Sequence, residues 1–278
     1  MRFQKLDKVI RYTFKITFRS IFTHIFIFII PFLIELFIYF YLIKQNIISN
    51  RAIVCGPLIF ITIIFNSLFV TNSICSWRET IFIKQIKNFG INNLTFLTSL
   101  LVVFFTYSMI SLIIISSVIS TIDAFSFDKK VLQMFGNVFT QPSFLLIFIG
   151  IILNIAFVYF IAILIAGFFR NVYLINALFV LVVMFLILTG DYLLDYKFTQ
   201  SFYYQMFSFL NPQKYLNWIF YTSYTNTYTN SASIYKILKN VEAFFPFTNL
   251  FAPLFSSVAI IPVIGLLSYY NFNISIKK

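Results

Sequence analysis

Six long apolar stretches, a scarcity of charge and a one-sided distribution of cations predict an all-α integral membrane protein. Of the 278 residues, 60% are apolar and only 10% charged. A soluble domain carries about 25% charged residues to cover its surface. The mean hydropathy of +0.93 points the same way. The formal charge of +12 is a topology signal here rather than a nucleic-acid signal, because the cations sort by segment. The whole chain, 1–278, reads as a single transmembrane domain.

The first element is an amphipathic helix over 1–22. Arg2, Lys5, Lys8, Arg11, Lys15 and Arg19 recur at steps of three or four, and Phe3, Leu6, Ile10, Phe14 and Phe18 repeat on another arc. Such a helix lies in the headgroup layer with its cations toward anionic lipid. It is expected to stay on the mature protein, since its basic stretch is too long for a signal peptide. The following apolar run also lacks a small-residue cleavage site.

The spans are placed at 25–43, 52–75, 94–122, 144–169, 173–189 and 247–270. Each is long enough for about 30 Å of hydrocarbon at about 1.5 Å per residue. The fourth and fifth are joined only around Arg170 and Asn171, which predicts an antiparallel helix pair. Cys55 and Cys75 stand at opposite ends of the second span, roughly 30 Å apart on one helix. They are read as buried apolar residues rather than a disulfide.

Between the second and third spans, residues 76–93 hold Ile81, Phe82, Ile86 and Phe89 at helical spacing. This predicts a short cytoplasmic helix closed by Gly90. In 190–246, the apolar runs 202–210 and 215–221 are too short to cross and flank Asn211-Pro212. Two broken segments dipping into the outer interface, their backbone covered by protein, satisfy this pattern. Residues 221–233 read as an exposed loop, and Asp191 and Asp195 as solvated loop acids.

Orientation follows from Lys and Arg. With the N-terminus inside, twelve fall on the cytoplasmic side: six in the first helix, Arg78, Lys84, Lys87, Arg170, Lys277 and Lys278. Eight fall outside. Both termini are therefore expected in the cytoplasm, and the location is a multi-pass one in the plasma membrane.

Missing chemistry narrows function. No G-x-x-x-x-G-K-[ST] occurs, so this chain has no P-loop. The one histidine, His24, sits at a membrane edge without nearby acids, which disfavours a metalloprotease or a His-Asp acyltransferase. No catalytic, cofactor or metal site is expected, and no nucleic-acid partner. Glu35 is the only acid well inside a span, and burial there costs at least ~2.5 kcal/mol. A place on a translocation path and a packing role both fit it. Asn66 and Asn154 read as interhelical hydrogen-bond formers.

Residues 76–93 resemble the ABC-2 family of ATP-binding-cassette transporter permeases, which carry a segment of the type E-R-E-T-G-T-L-K-R-L-L-A-T-P-V-S between spans two and three. Trp77-Arg78-Glu79-Thr80 takes the place of its start, Ile83-Lys84-Gln85-Ile86 matches L-K-R-L, and Gly90-Ile91-Asn92 falls on P-V-S. Ile81-Phe82 stand where the family has Gly-Thr, and Gly90 where it has Pro. The preceding amphipathic helix, Pro31 in the first span, and Gly190, Asn211-Pro212 and Tyr215 after the fifth extend the resemblance over nearly the whole chain. It implies that Trp77, Arg78, Glu79, Thr80, Ile83, Lys84, Ile86 and Lys87 form a coupling helix docking on a separate ATPase subunit. It also implies a second permease subunit, identical or not, and ATP with Mg held by the ATPase rather than by this chain. The expected function is export of a substrate, without enzymatic activity in this chain. An ion-coupled secondary carrier or another polytopic membrane protein is the alternative.

Overall fold

The structure is a computed structural model that describes residues 2–43, 51–79, 88–125, 130–140, 142–169, 171–192, 202–224, 247 and 249–277. Among these residues the fold is helical throughout and holds no strand. Five helices are long and apolar enough to cross a membrane: Ile21–Tyr41, Leu58–Arg78, Asn93–Ala124, Phe144–Phe168 and Phe251–Ile276. The remaining expected span is a shorter apolar helix, Val172–Leu188. Large apolar side chains such as Phe37, Leu145, Leu181 and Leu266 point outward, as lipid contact requires and water would penalise. The chain is therefore an all-α membrane protein.

Helix α1 (Arg2–Arg19) packs on the helix Asn93–Ala124. Val9, Thr13 and Thr17, one turn apart, form its buried edge. Phe14 stacks on Tyr107 at 5.1 Å between ring centroids, and Thr17 Oγ1 lies 3.4 Å from the Tyr107 hydroxyl. The expected amphipathic helix is present, and it presents a narrow buried stripe to the bundle. Tyr12, Phe14 and Phe18 remain exposed.

The chain breaks at Ser20, whose backbone is extended, and re-enters as α2 (Ile21–His24). A π-helical turn (Ile25–Ile29) leads into α3 (Ile30–Ile38), with Pro31 near its start. Proline has no N–H to offer the carbonyl four residues back, which is that of Ile27. Ser111 Oγ fills the vacancy, donating to Ile27 O at 2.7 Å. A second π turn (Tyr39–Ile43) ends the segment.

Helix α4 (Arg51–Glu79) is the centre of the bundle. Its apolar window is 78% buried, against 22–39% for the other long helices. It packs on α5 (Asn93–Ala124), α7 (Phe144–Phe168) and α8 (Val172–Leu188), and α11 (Phe251–Lys277) packs in turn on α7. Cys55 and Cys75 are free and buried, as expected. Asn273 pairs with Asn93, and Arg78 donates to the Phe169 carbonyl. The end of α4, the start of α5 and the ends of α7 and α11 thus meet at one end of the bundle.

At the other end lies α6 (Lys130–Thr140), which the sequence reading did not include. Val131, Met134 and Val138 form its buried face. Asp123 joins it to the bundle: its carboxylate accepts from the Val131 N–H at 2.7 Å and the Tyr39 hydroxyl at 3.1 Å.

Candidate functional site

Two short helices fill the same end, α9 (Phe202–Ser208) and α10 (Pro212–Tyr224). The second starts where the sequence dictates. Asn211 Oδ1 accepts from the Gln213 N–H at 2.9 Å, and Pro212 takes the first helical position, where its missing N–H costs nothing. Asn211 Nδ2 donates to Leu186 O and Thr189 Oγ1, binding the cap to the end of α8. Gly190 is required at that end: a Cβ there would lie 2.5 Å from Leu186 O and 2.9 Å from the Tyr192 ring.

Helix α10 is buried along almost its whole length against α7, α11 and α4. Residues 221–224 belong to it, where an exposed loop was expected, and 225–233 lie outside the described residues. Tyr221 and Thr222 read as part of a polar loop in sequence, yet here they find partners, whereas the Ser223 hydroxyl is buried with none among the described residues. Thr222 Oγ1 donates to Trp218 O, and Tyr221 OH to Asp191 O.

The polar centre of this end is Lys214, fully buried. Its ammonium donates to Gln205 Oε1 at 2.7 Å and to Ser208 Oγ, lies 3.4 Å from an Asp191 carboxylate oxygen, and sits 4.8 Å from the Phe209 ring centroid. Burial pushes its pKa below the ordinary lysine value, and the Asp191 charge offsets part of that. Asp191 is therefore not the solvated acid expected. Its backbone takes the left-handed conformation, φ 58°, which turns the carboxylate under α10. There it accepts from Trp218 Nε1 at 3.0 Å. Gln213 donates to Asn154 Oδ1 at 2.8 Å and Asn217 to Gly190 O at 2.7 Å. Asn154 is thus interhelical, as anticipated. Asn66 is buried with neither amide atom hydrogen-bonded among the described residues, and the expectation fails there. Asp195 lies outside the described residues.

This network joins α8, α9, α10 and α7 without leaving the ammonium a free donor for a ligand. Its function is to hold broken helices in place. No group of metal-binding side chains is found among the described residues.

Glu35 is buried inside the first span, at 2% exposure. No hydrogen bond or ion pair to its carboxyl is found among the described residues. At the opposite end, Trp77 turns inward and meets Phe96 edge-on at 5.7 Å, and Arg78 is engaged with Phe169 O. Glu79 is the last residue of α4. Thr80, Ile83, Lys84, Ile86 and Lys87 lie outside the described residues. The segment ends at Gly90 with φ +67°, the left-handed helix terminator that its residue type anticipates. Sequence reasoning missed Lys214. The available signal was a lone cation inside an aromatic stretch, which needs a counter-charge wherever that stretch is buried.

These features define an all-α membrane protein with a polar hub under two broken helices. The chain matches no family model, no curated protein and no solved structure.

Proposed function

We propose that this chain is the permease subunit of an ATP-binding-cassette exporter of the ABC-2 type, working as a dimer with a separate ATPase. It crosses the membrane six times with both termini in the cytoplasm. The sixth crossing is α8, whose 17 residues reach about 25 Å, close to the hydrocarbon thickness of ~30 Å. Burial of Lys214 removes one cation from the outer count, leaving seven against twelve inside, so the charge asymmetry behind this orientation widens.

The observation that carries the reading is the extension of α4 through Trp77 and Arg78 into a charged segment. That segment terminates at Gly90, on the end of the bundle where Arg78 is fixed to α7. A push on 79–90 passes directly into the most buried helix, so this segment is a mechanically suitable lever. The broken helices after α8 support the same reading.

The test is Glu79→Lys. Wild-type protein is expected to co-purify with a P-loop ATPase identified by mass spectrometry. The variant, which reverses a charge-assisted contact worth about 1.5–3 kcal/mol, is expected to lose that ATPase while remaining in the membrane. Equal ATPase recovery with both proteins would refute the coupling role. One observation favours a second reading, an ion-coupled carrier: the buried Glu35 carboxyl, which has no ion pair among the described residues. Transport that persists after ATP depletion and stops when the ion gradient collapses would establish that alternative instead.

A further inference from the structure

A cleft of about 340 Å³ opens where the first span begins, α4 ends and α8 begins. That volume falls in the range of about 300–1,000 Å³ typical of small-ligand sites. Its lining combines the apolar side chains of Phe22, Phe26, Phe69 and Val172 with the hydroxyls of Ser20, Thr23, Ser73 and Ser76.

Those four hydroxyls make no hydrogen bond among the described residues. Helix hydroxyls ordinarily turn back on carbonyls three or four residues behind, and Thr62, Ser67 and Thr71 on the same α4 do so. Ser73 and Ser76, facing the cleft, do not. The serine oxygens open to the cleft rather than being sealed in the protein, Ser76 on an exposed residue and Ser20 and Ser73 on half-buried ones, so an incoming ligand can reach them.

Two cations flank the lining residues. Arg78 Nη2 lies 3.6 Å from Sγ of Cys75, which lines the cleft, and Arg19 directly precedes Ser20 in the chain. Neither has a carboxylate partner among the described residues, and Arg78 commits one guanidinium nitrogen to Phe169 O and Cys75 Sγ. Donor hydroxyls, two flanking cations and apolar side chains at the start of a span match a phosphodiester head with an acyl tail.

We propose that this cleft binds one anionic phospholipid, its phosphate and glycerol among Ser20, Thr23, Ser73 and Ser76 and its chain along Phe22, Phe26 and Phe69. The lipid bridges the α1–α2 elbow to the end of α4, whatever energy source drives the protein.

Delipidated full-length protein in neutral detergent is titrated with dioctanoyl phosphatidylglycerol, dioctanoyl phosphatidylcholine and glycerol 3-phosphate, with binding read by native mass spectrometry. Phosphatidylglycerol is expected to bind about tenfold tighter than phosphatidylcholine, with glycerol 3-phosphate a weak competitor. Ser73→Ala with Ser76→Ala is expected to weaken phosphatidylglycerol about tenfold and leave phosphatidylcholine unchanged. Equal affinity for the two lipids, or a variant that binds like wild type, overturns the proposal. Competition by glycerol 3-phosphate as strong as that by the lipid makes this a soluble-anion site and also overturns it. Should the double variant fail to fold, the headgroup comparison on wild-type protein decides alone.

Discussion

Separating Lys214 from Asp191 is expected to be costly in an asymmetric way. The lysine side chain is 0% exposed and the aspartate side chain 11%. Asp191→Asn leaves a fully buried ammonium with no counter-charge in the network and only neutral acceptors, Gln205 and Ser208 among them. Removing one partner of a buried pair costs about 3–5 kcal/mol. Lys214→Met leaves instead a partly solvated carboxylate that keeps the Trp218 indole and the Tyr204 hydroxyl, so the loss is about 1–3 kcal/mol. The double variant buries neither charge and is expected to fall short of the sum by about 1 kcal/mol or more. Unfolding in mixed micelles with increasing dodecyl sulfate, followed by fluorescence, measures this. The protein has two tryptophans, and Trp218 touches the pair directly. The pH dependence has a definite sign. The folded pKa of Lys214 lies below 10.5, so between the two values the unfolded chain binds more protons and stability rises with pH. Wild type should therefore gain on Lys214→Met as pH climbs through that window. Equal stability of both single variants and wild type, or strict additivity, refutes the strut.

Two further outcomes are expected. In a variant lacking Cys55 and Cys75, a cysteine at Asn226 should react with an impermeant thiol reagent on intact cells while one at Asn88 should not, and the reverse pattern overturns the orientation. Glu35→Gln keeps the side-chain volume but removes the ionisable group, so if Glu35 lines the path transport should fall with assembly unchanged, whereas normal transport returns Glu35 to packing.

Much of the fold was legible because lipid imposes a local rule: a crossing helix must be apolar over its own length. The expected span 94–122 is α5 from Asn93 to Ala124, and 144–169 is α7 from Phe144 to Phe168. Local chemistry also marked Asn211-Pro212 as the break between two short segments and Gly90 as a helix end. Helix α6 escaped because an eleven-residue helix is too short for the spanning pattern, although its buried face repeats at helical spacing.

The sequence by itself determined that the chain lives in a membrane, roughly where it crosses, that Asn211-Pro212 interrupts an apolar run, and that Gly90 stops a helix. These properties depend on residues within one or two turns of each other. Only the tertiary structure decided which span is central, that Ser111 serves the carbonyl left by Pro31, and that Asp191 is a buried counter-charge. Asp191 and Lys214 stand on different elements, and a hydrophilic residue looks the same in sequence whether water or a distant side chain satisfies it. Burial is a property of neighbours, and for a polar group those neighbours come from the rest of the chain.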